Sequence, residues 1–233
     1  MQDLFDLKDL ESIGLFDSAV PPWEWLKRLE AFLFSLRLEP VQETTYWHNE
    51  AHRQFDLTRG PVYVLPGTVI HPSAVIQGPA CIGVGVRIGP HALIRDSCLI
   101  MDHCSIGHAS EIKHAILFPR AVCGHRNFVG DSILGRHVNM GNGSSTANLR
   151  VDRDPKRTTR VTWNGEVVDT GLRKFGALVG DESSIGCQAT LQPGTILGRG
   201  CLVHPNIAVS RTHPAETELS PSYAVLATPR KKS

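Results

Sequence analysis

Aliphatic side chains return at every sixth position through most of this chain. Ile70, Ile76, Ile82, Ile88, Ile94, Ile100, Ile106 and Ile112 form an unbroken run, and Val179, Ile185, Leu191, Leu197 and Val203 resume the same beat. A period of six fits neither a helix nor an ordinary strand. It is the period of a β-helix in which each hexapeptide makes one side of a coil. Four positions after each aliphatic residue stands a smaller one: Ala74, Ala80, Val86, Ala92, Cys98, Cys104, Ser110, and later Ser183, Ala189, Thr195 and Cys201. One large and one small inward residue per hexapeptide suit the inside of a narrow triangular prism. Gly83, Gly89, Gly107, Gly180, Gly186 and Gly198 directly follow the aliphatics and are expected to ease corners that disfavour a β-carbon. Three hexapeptides close a coil of roughly 18 residues, and coils stack at about 4.8 Å. The predicted class is all-β, a parallel β-helix with a short N-terminal helical segment.

Residues 1–45 do not share this period. Pro22 suits the first turn of a helix, and Leu26, Leu29, Leu33 and Leu36 follow at helical spacing. The segment is expected to cap the open end of the prism or to pack on its side. Residues 46–62 read as a connector, and the prism is expected over 63–210, beginning near Val64. The beat slips to five between Ile112 and Leu117 and between Val129 and Leu134. It then breaks for an insertion at 150–177, where Asn164-Gly165 between two β-rich arms predicts a hairpin. The insertion is basic, with Arg150, Arg153, Lys156, Arg157, Arg160, Arg173 and Lys174 against Asp152, Asp154, Glu166 and Asp169. Loops leaving a rigid scaffold often carry function; the plainer expectation is a solvated arm at a subunit contact. Residues 211–233 read as a Pro-rich tail ending in Arg230-Lys231-Lys232, loosely packed or mobile.

Composition narrows the field. The net charge is +1 over 233 residues, so no broad field draws nucleic acid. The acidic start, Met1-Gln2-Asp3-Leu4-Phe5-Asp6, has no apolar core of a signal peptide, and no apolar run is long enough to span a membrane. The six cysteines include no C-x-x-C pair. Cys98, Cys104 and Cys201 fall on small inward positions, as buried thiols in a reducing cytoplasm would.

Chemistry concentrates in residues 121–150. The stretch Ala121-Val122-Cys123-Gly124-His125-Arg126-Asn127-Phe128-Val129-Gly130-Asp131, followed by Val138-Asn139-Met140-Gly141-Asn142-Gly143 and Ala147-Asn148-Leu149, resembles the acetyltransferase half of the bifunctional glucosamine-1-phosphate N-acetyltransferase/N-acetylglucosamine-1-phosphate uridyltransferases. It is closer still to archaeal and bacterial nucleotidyltransferase-like proteins of that class. The resemblance covers about residues 63–210 and is specific at 121–150 and at Leu172-Arg173-Lys174-Phe175-Gly176. It implies a left-handed prism, an exception to the usual right-handed crossover. It further implies a homotrimer with sites between subunits, acetyl-CoA as co-substrate, an amino-sugar phosphate as acceptor and no required metal.

By the same resemblance His125 is the general base. An amine must be neutral to attack a thioester, and histidine is the side chain that exchanges a proton near neutrality. Asn148 matches the asparagine that holds the acetylated sugar, and Asn139 that of the N-V-N motif. Arg95, Lys113 and Lys174 match basic residues around the sugar phosphate, which demands charge-assisted donors. Phe128 replaces the family tyrosine and removes one phosphate-directed hydroxyl; either Arg126 or another basic group compensates, or the acceptor differs. Cys187 stands where the family has a serine facing the pantetheine arm; Pro205 lies beside it in the late coils, from Ile185 to Asn206. Nothing matches the nucleotide loop of the uridyltransferase half, so uridylyl transfer is not expected. Two rivals stand beside this reading. One is a γ-carbonic anhydrase-type metalloenzyme using His103-x4-His108 with His71. The other is a non-catalytic subunit that binds nucleotide-sugars.

Overall fold

The computed structural model describes residues 4–41, 55–152 and 154–222. Most of the connector, Arg153 and the Arg230-Lys231-Lys232 end lie outside these. The chain winds as a parallel β-helix whose three faces repeat in the order of the sequence. The inward column of the first face runs Ile70, Ile88, Ile106, Cys123, Met140, Ile185, Val203, Leu219. That of the second runs Ile76, Ile94, Ile112, Val129, Thr146, Leu191, Val209. That of the third begins Val64, Ile82, Ile100, Leu117, Leu134, Val179, Leu197. The small inward residues are buried between these columns, and together they form one continuous core.

Pairing starts earlier and ends later than the expected 63–210. Phe55 already pairs with Ile76, and Thr212–His213 and Glu218–Leu219 still lay strands on the coil below. His213 takes the place of the expected aliphatic opposite Leu197, only sixteen residues on. The period fails there although the coil continues.

The glycines act differently from the expectation. None of the six that follow the aliphatics has a left-handed backbone; those positions fall two residues later, at His91, Ala109, Arg126, Gln188 and Asn206 along one corner. What requires glycine is close approach: a β-carbon on Gly107 would lie 1.6 Å from the carbonyl oxygen of Gly124 on the next coil.

All irregularity collects at the corner between the second and third faces. Ile94 pairs with Ile112, eighteen residues on, and the corner between takes two left-handed residues, Asp96 and Ser97. In the next two coils one left-handed residue suffices, His114 and then Asp131, which accounts for both slips to five. The long insertion leaves and re-enters at this same corner, between Thr146 and Val179.

The N-terminal segment packs on the side of the prism. Helix α1, Trp23–Ser35, buries Trp23, Trp25, Leu26, Leu29 and Leu33. Together with Leu4, Phe5, Leu10, Leu15 and Phe16 these cover the outward column of the third face, from Tyr63 through Leu99, Ile116, Ile133 and Leu178 to Ile196. This second core explains why the third face is apolar outside as well as inside. The insertion forms the hairpin Arg160–Trp163 with Glu166–Asp169, turned by Asn164 and Gly165, both left-handed. It is not a free arm: Val161 is buried and Trp163 meets Trp23 edge-on at 5.2 Å.

Candidate functional site

Two clusters emerge, at opposite edges of the second face. The first follows the corner between the first and second faces. Backbone hydrogen bonds from Ala109 to Pro90, Arg126 to His108, Gly143 to His125, Gln188 to Asn142 and Asn206 to Cys187 stack this corner rung on rung. One exposed edge therefore carries, in order, His108, His125, Asn142, Cys187 and Pro205. His125 lies at the end of strand Val122–His125, opposite His108 of the coil below. Its side chain is exposed and its ring makes no hydrogen bond among the described residues. Its backbone is fixed from within. The buried amide of Asn127 accepts from the His125 N–H at 3.0 Å and donates to the Gly141 carbonyl at 2.7 Å and the Ser144 hydroxyl at 3.1 Å. This inward asparagine pins the corner of His125 to the corner above it. Arg126 also bridges the two corners, giving Nε and Nη2 to Asn142 at 3.3 and 3.1 Å. His125 sits close to the repeat slips in sequence, but the slips belong to the other corner.

The second cluster occupies that irregular corner. Asp131 is its hub, accepting from Lys113 Nζ at 3.1 Å, Asn148 Nδ2 at 2.5 Å and the His114 ring at 2.9 Å. The other His114 nitrogen reaches the Leu26 carbonyl of α1 at 3.1 Å. Burial alone would push the Asp131 carboxyl up. The hydrogen bond from His114, the charge of Lys113 and the amide of Asn148 outweigh it and hold it below the ordinary carboxylate range. Arg95 lies one rung below Lys113 and pairs with Asp96 at 2.6 Å and Glu111 at 2.8 Å. Phe128 projects its ring over Gly130, where a β-carbon would lie 2.7 Å from the ring and 2.8 Å from the Asn148 amide. Lys174 is exposed and bridges through its backbone to Leu149.

Of the residues singled out in the sequence, Arg95, Lys113, Phe128, Asn148 and Lys174 thus gather at one edge of the second face. His125, Arg126, Cys187 and Pro205 gather at the other. Gly130, in register with Lys113, ends the strand that follows the His125 strand, beyond the corner where Arg126 takes a left-handed backbone. Asn139 joins neither group: it points outward on the first face, opposite Val122 and Ser184. Lys113 and Arg95 do not stand as open cations, since carboxylates of the same corner already hold them. The sequence reading missed that hub. Asp131 and His114 were legible only as the residues at which the beat slipped. His103 and His108 of the metalloenzyme rival lie at different corners, His103 on the Val84 rung and His108 on the Pro90 edge. Among the described residues no group of three His, Cys, Asp or Glu side chains could hold a metal ion. No helix among them is long and apolar enough to cross a membrane.

A hexapeptide prism defines a class, and known proteins place the chain within it. Residues 58–168 match the family described as the GMPPB C-terminal domain. The uncharacterized acetyltransferase YaiX of Escherichia coli K12 is 34% identical over 162 residues, covering 70% of this chain and 69% of that one. The chain belongs to the hexapeptide-repeat acyltransferase family. The bifunctional protein GlmU of Methanococcus vannielii is 43% identical over 91 residues, covering 36% of this chain. The match spans only 20% of that protein. A solved UDP-N-acetylglucosamine acyltransferase from Campylobacter jejuni is 18% identical, with a TM-score of 0.39 over 69% of this chain and 67% of that one.

Proposed function

We propose that the protein is an acetyl-CoA-dependent N-acetyltransferase acting on an amino-sugar phosphate, with His125 as general base. The observation that carries this reading is His125 itself, an exposed imidazole with no hydrogen-bond partner among the described residues, on a backbone fixed by Asn127. Family membership supports acyl transfer, and the amino-sugar acceptor rests on the resemblance of the His125 to Asn148 block to the glucosamine-1-phosphate N-acetyltransferases. In the reaction the amine nitrogen bonds to the thioester carbonyl carbon, His125 takes the amine proton, and the C–S bond breaks. Coenzyme A leaves as its thiol, taking that proton. The edge of Asn142, Cys187 and Pro205 offers an open track for the pantetheine arm above His125. Asn148 and Phe128 would contact the sugar from the far side of the face.

The two clusters lie at opposite edges of the second face, and the cations Lys113 and Arg95 are already engaged by carboxylates, which favours completion of each site by a second subunit. A homotrimer meets this need, with two open faces available to partners. The setting proposed is the cytoplasm. The deciding experiment follows thiol release from acetyl-CoA with a panel of amino-sugar phosphates. Turnover with at least one acceptor, and a fall of at least about 100-fold in His125→Ala, is the expected outcome. Undiminished turnover in that variant would remove His125 from its role.

A further inference from the structure

The hairpin insertion forms a recess of about 310 Å³ lined by Arg150, Lys156, Arg157, Thr158, Arg160 and Asp169. No role so far described uses it. Four of its six lining residues are cationic and one is a carboxylate. Asp152 ties Arg150 and Arg157 together and thereby sets the spacing of two guanidinium groups. Asp154 is engaged by the backbone N–H of Lys156 at 2.9 Å. Asp169 accepts the Thr158 hydroxyl at 2.8 Å and lies 3.8 Å from Arg160. The ammonium of Lys156 has no carboxylate partner among the described residues. Planar guanidinium forks beside a freely turning ammonium are a donor set for phosphate oxygens, while the Thr158 hydroxyl already donates to Asp169. With a net charge of only +1 over the chain, this concentration of positive charge is local, suited to a small anion and not to a polyanion.

The recess is also built firmly. Thr159 N–H meets the Leu172 carbonyl at 2.7 Å and Thr170 N–H the Thr159 carbonyl at 3.1 Å, and Val161 is anchored in the second core. Its near wall begins two residues after Asn148, within about 7 Å along an extended chain. The returning strand closes the loop on the same corner, where Phe175 N–H meets the Asn148 carbonyl and Gly176 N–H the Asp131 carbonyl, each at 2.9 Å.

We infer that this recess binds the phosphate or diphosphate group of the acceptor substrate, holding the attached sugar toward Asn148. Anion binding stands on the recess alone; its assignment to the acceptor rests on the acetyltransferase reading. Coenzyme A carries the same chemistry, but its track lies at the opposite edge of the second face. The corner cations Lys113 and Arg95 are engaged by Asp131, Asp96 and Glu111, with Lys113 buried. The recess guanidiniums also meet carboxylates, but Arg157 and Arg160 stay largely exposed and Lys156 has no such partner among the described residues, so the insertion offers the more open anion site.

The test uses the full chain and inorganic pyrophosphate as probe, titrated calorimetrically at low salt. The Lys156→Gln/Arg160→Gln variant is compared with Arg37→Gln/Arg120→Gln, two cations placed elsewhere. Binding to the wild type that weakens at least tenfold only in the first variant supports the recess. No binding to the wild type, or equal binding by both variants, overturns it. The second arm measures turnover. A tenfold lower kcat/KM for the phosphorylated acceptor, with the KM for acetyl-CoA within twofold, assigns the recess to the acceptor. A tenfold rise in the acetyl-CoA KM instead overturns that assignment. Failure of every acceptor to turn over with either protein counts against the acetyltransferase reading, while the calorimetry still decides on anion binding.

Discussion

Asp131 takes hydrogen bonds from Lys113, His114 and Asn148, each 17 or 18 residues away in sequence. Its carboxyl is depressed by folding, so its contribution to stability is fully present above the unfolded value near 3.9. That contribution drains away as pH falls through the lower folded value. Asp131→Asn should therefore lower stability by roughly 3 kcal/mol near pH 7, the order expected when a buried pair loses one partner. The gap between variant and wild type should begin to narrow below about pH 4 and close as pH falls through the lower folded value. Thermal melts of both proteins across this range check the sign. The cysteines give a second reading at this scale. Burial pushes Cys81 up to about 11, and Cys98 and Cys104 to about 12, and raises Cys123 and Cys201 as well. Cys187 alone among the six is exposed. A thiol reagent at pH 7.5 should label one cysteine per folded chain, and none in Cys187→Ser. The inward column and the burial of Cys98, Cys104 and Cys201 were legible in the sequence; the burial of Cys81 and Cys123 was not read there. Asp131 as a hub was not, because a buried carboxylate is defined by donors that only the coil brings together.

Helix α1 and the hairpin are small elements whose stability comes from the face they cover. Trp25 is fully buried and meets Phe16 at 5.2 Å and Phe118 at 6.4 Å. Trp25→Ala should cost about 3–5 kcal/mol and raise the binding of a hydrophobic dye, since apolar surface of the third face would open. Denaturant melts with a dye titration test this; an unchanged midpoint would mean that the helix adds nothing to the prism. The leucines of α1 announced a helix with one apolar stripe, yet nothing in that stripe chose between an end and a side of the prism. The deciding signal was outward apolar residues on the third face, Leu99, Ile116, Ile133 and Leu178. In a period-six chain they are neighbours of the inward column and are masked by it. The glycines show the same limit. Their positions were visible, but their purpose, the close approach of one coil to the next, belongs to stacked geometry.

At the scale of the molecule, the covered third face leaves the first and second for partners. Val69 and Leu202 are exposed on the first face, at 66% and 45%. If three chains of 25.5 kDa associate there, sedimentation should report three times that mass for the wild type. Val69→Glu should shift the distribution toward the single chain by burying an unpaired charge. A wild-type mass of one chain would leave each site without a second subunit. Confinement of every irregularity to one vertical line of the prism has a further bearing. Two of its three edges are regular and, on the proposed acetyltransferase reading, can keep a constant coenzyme track while the remaining edge is rewritten. Exchanging the excursion between Asn148 and Gly176 for another of the same span would then alter which sugar is received and spare the acyl donor, a modular change made without unwinding a single coil.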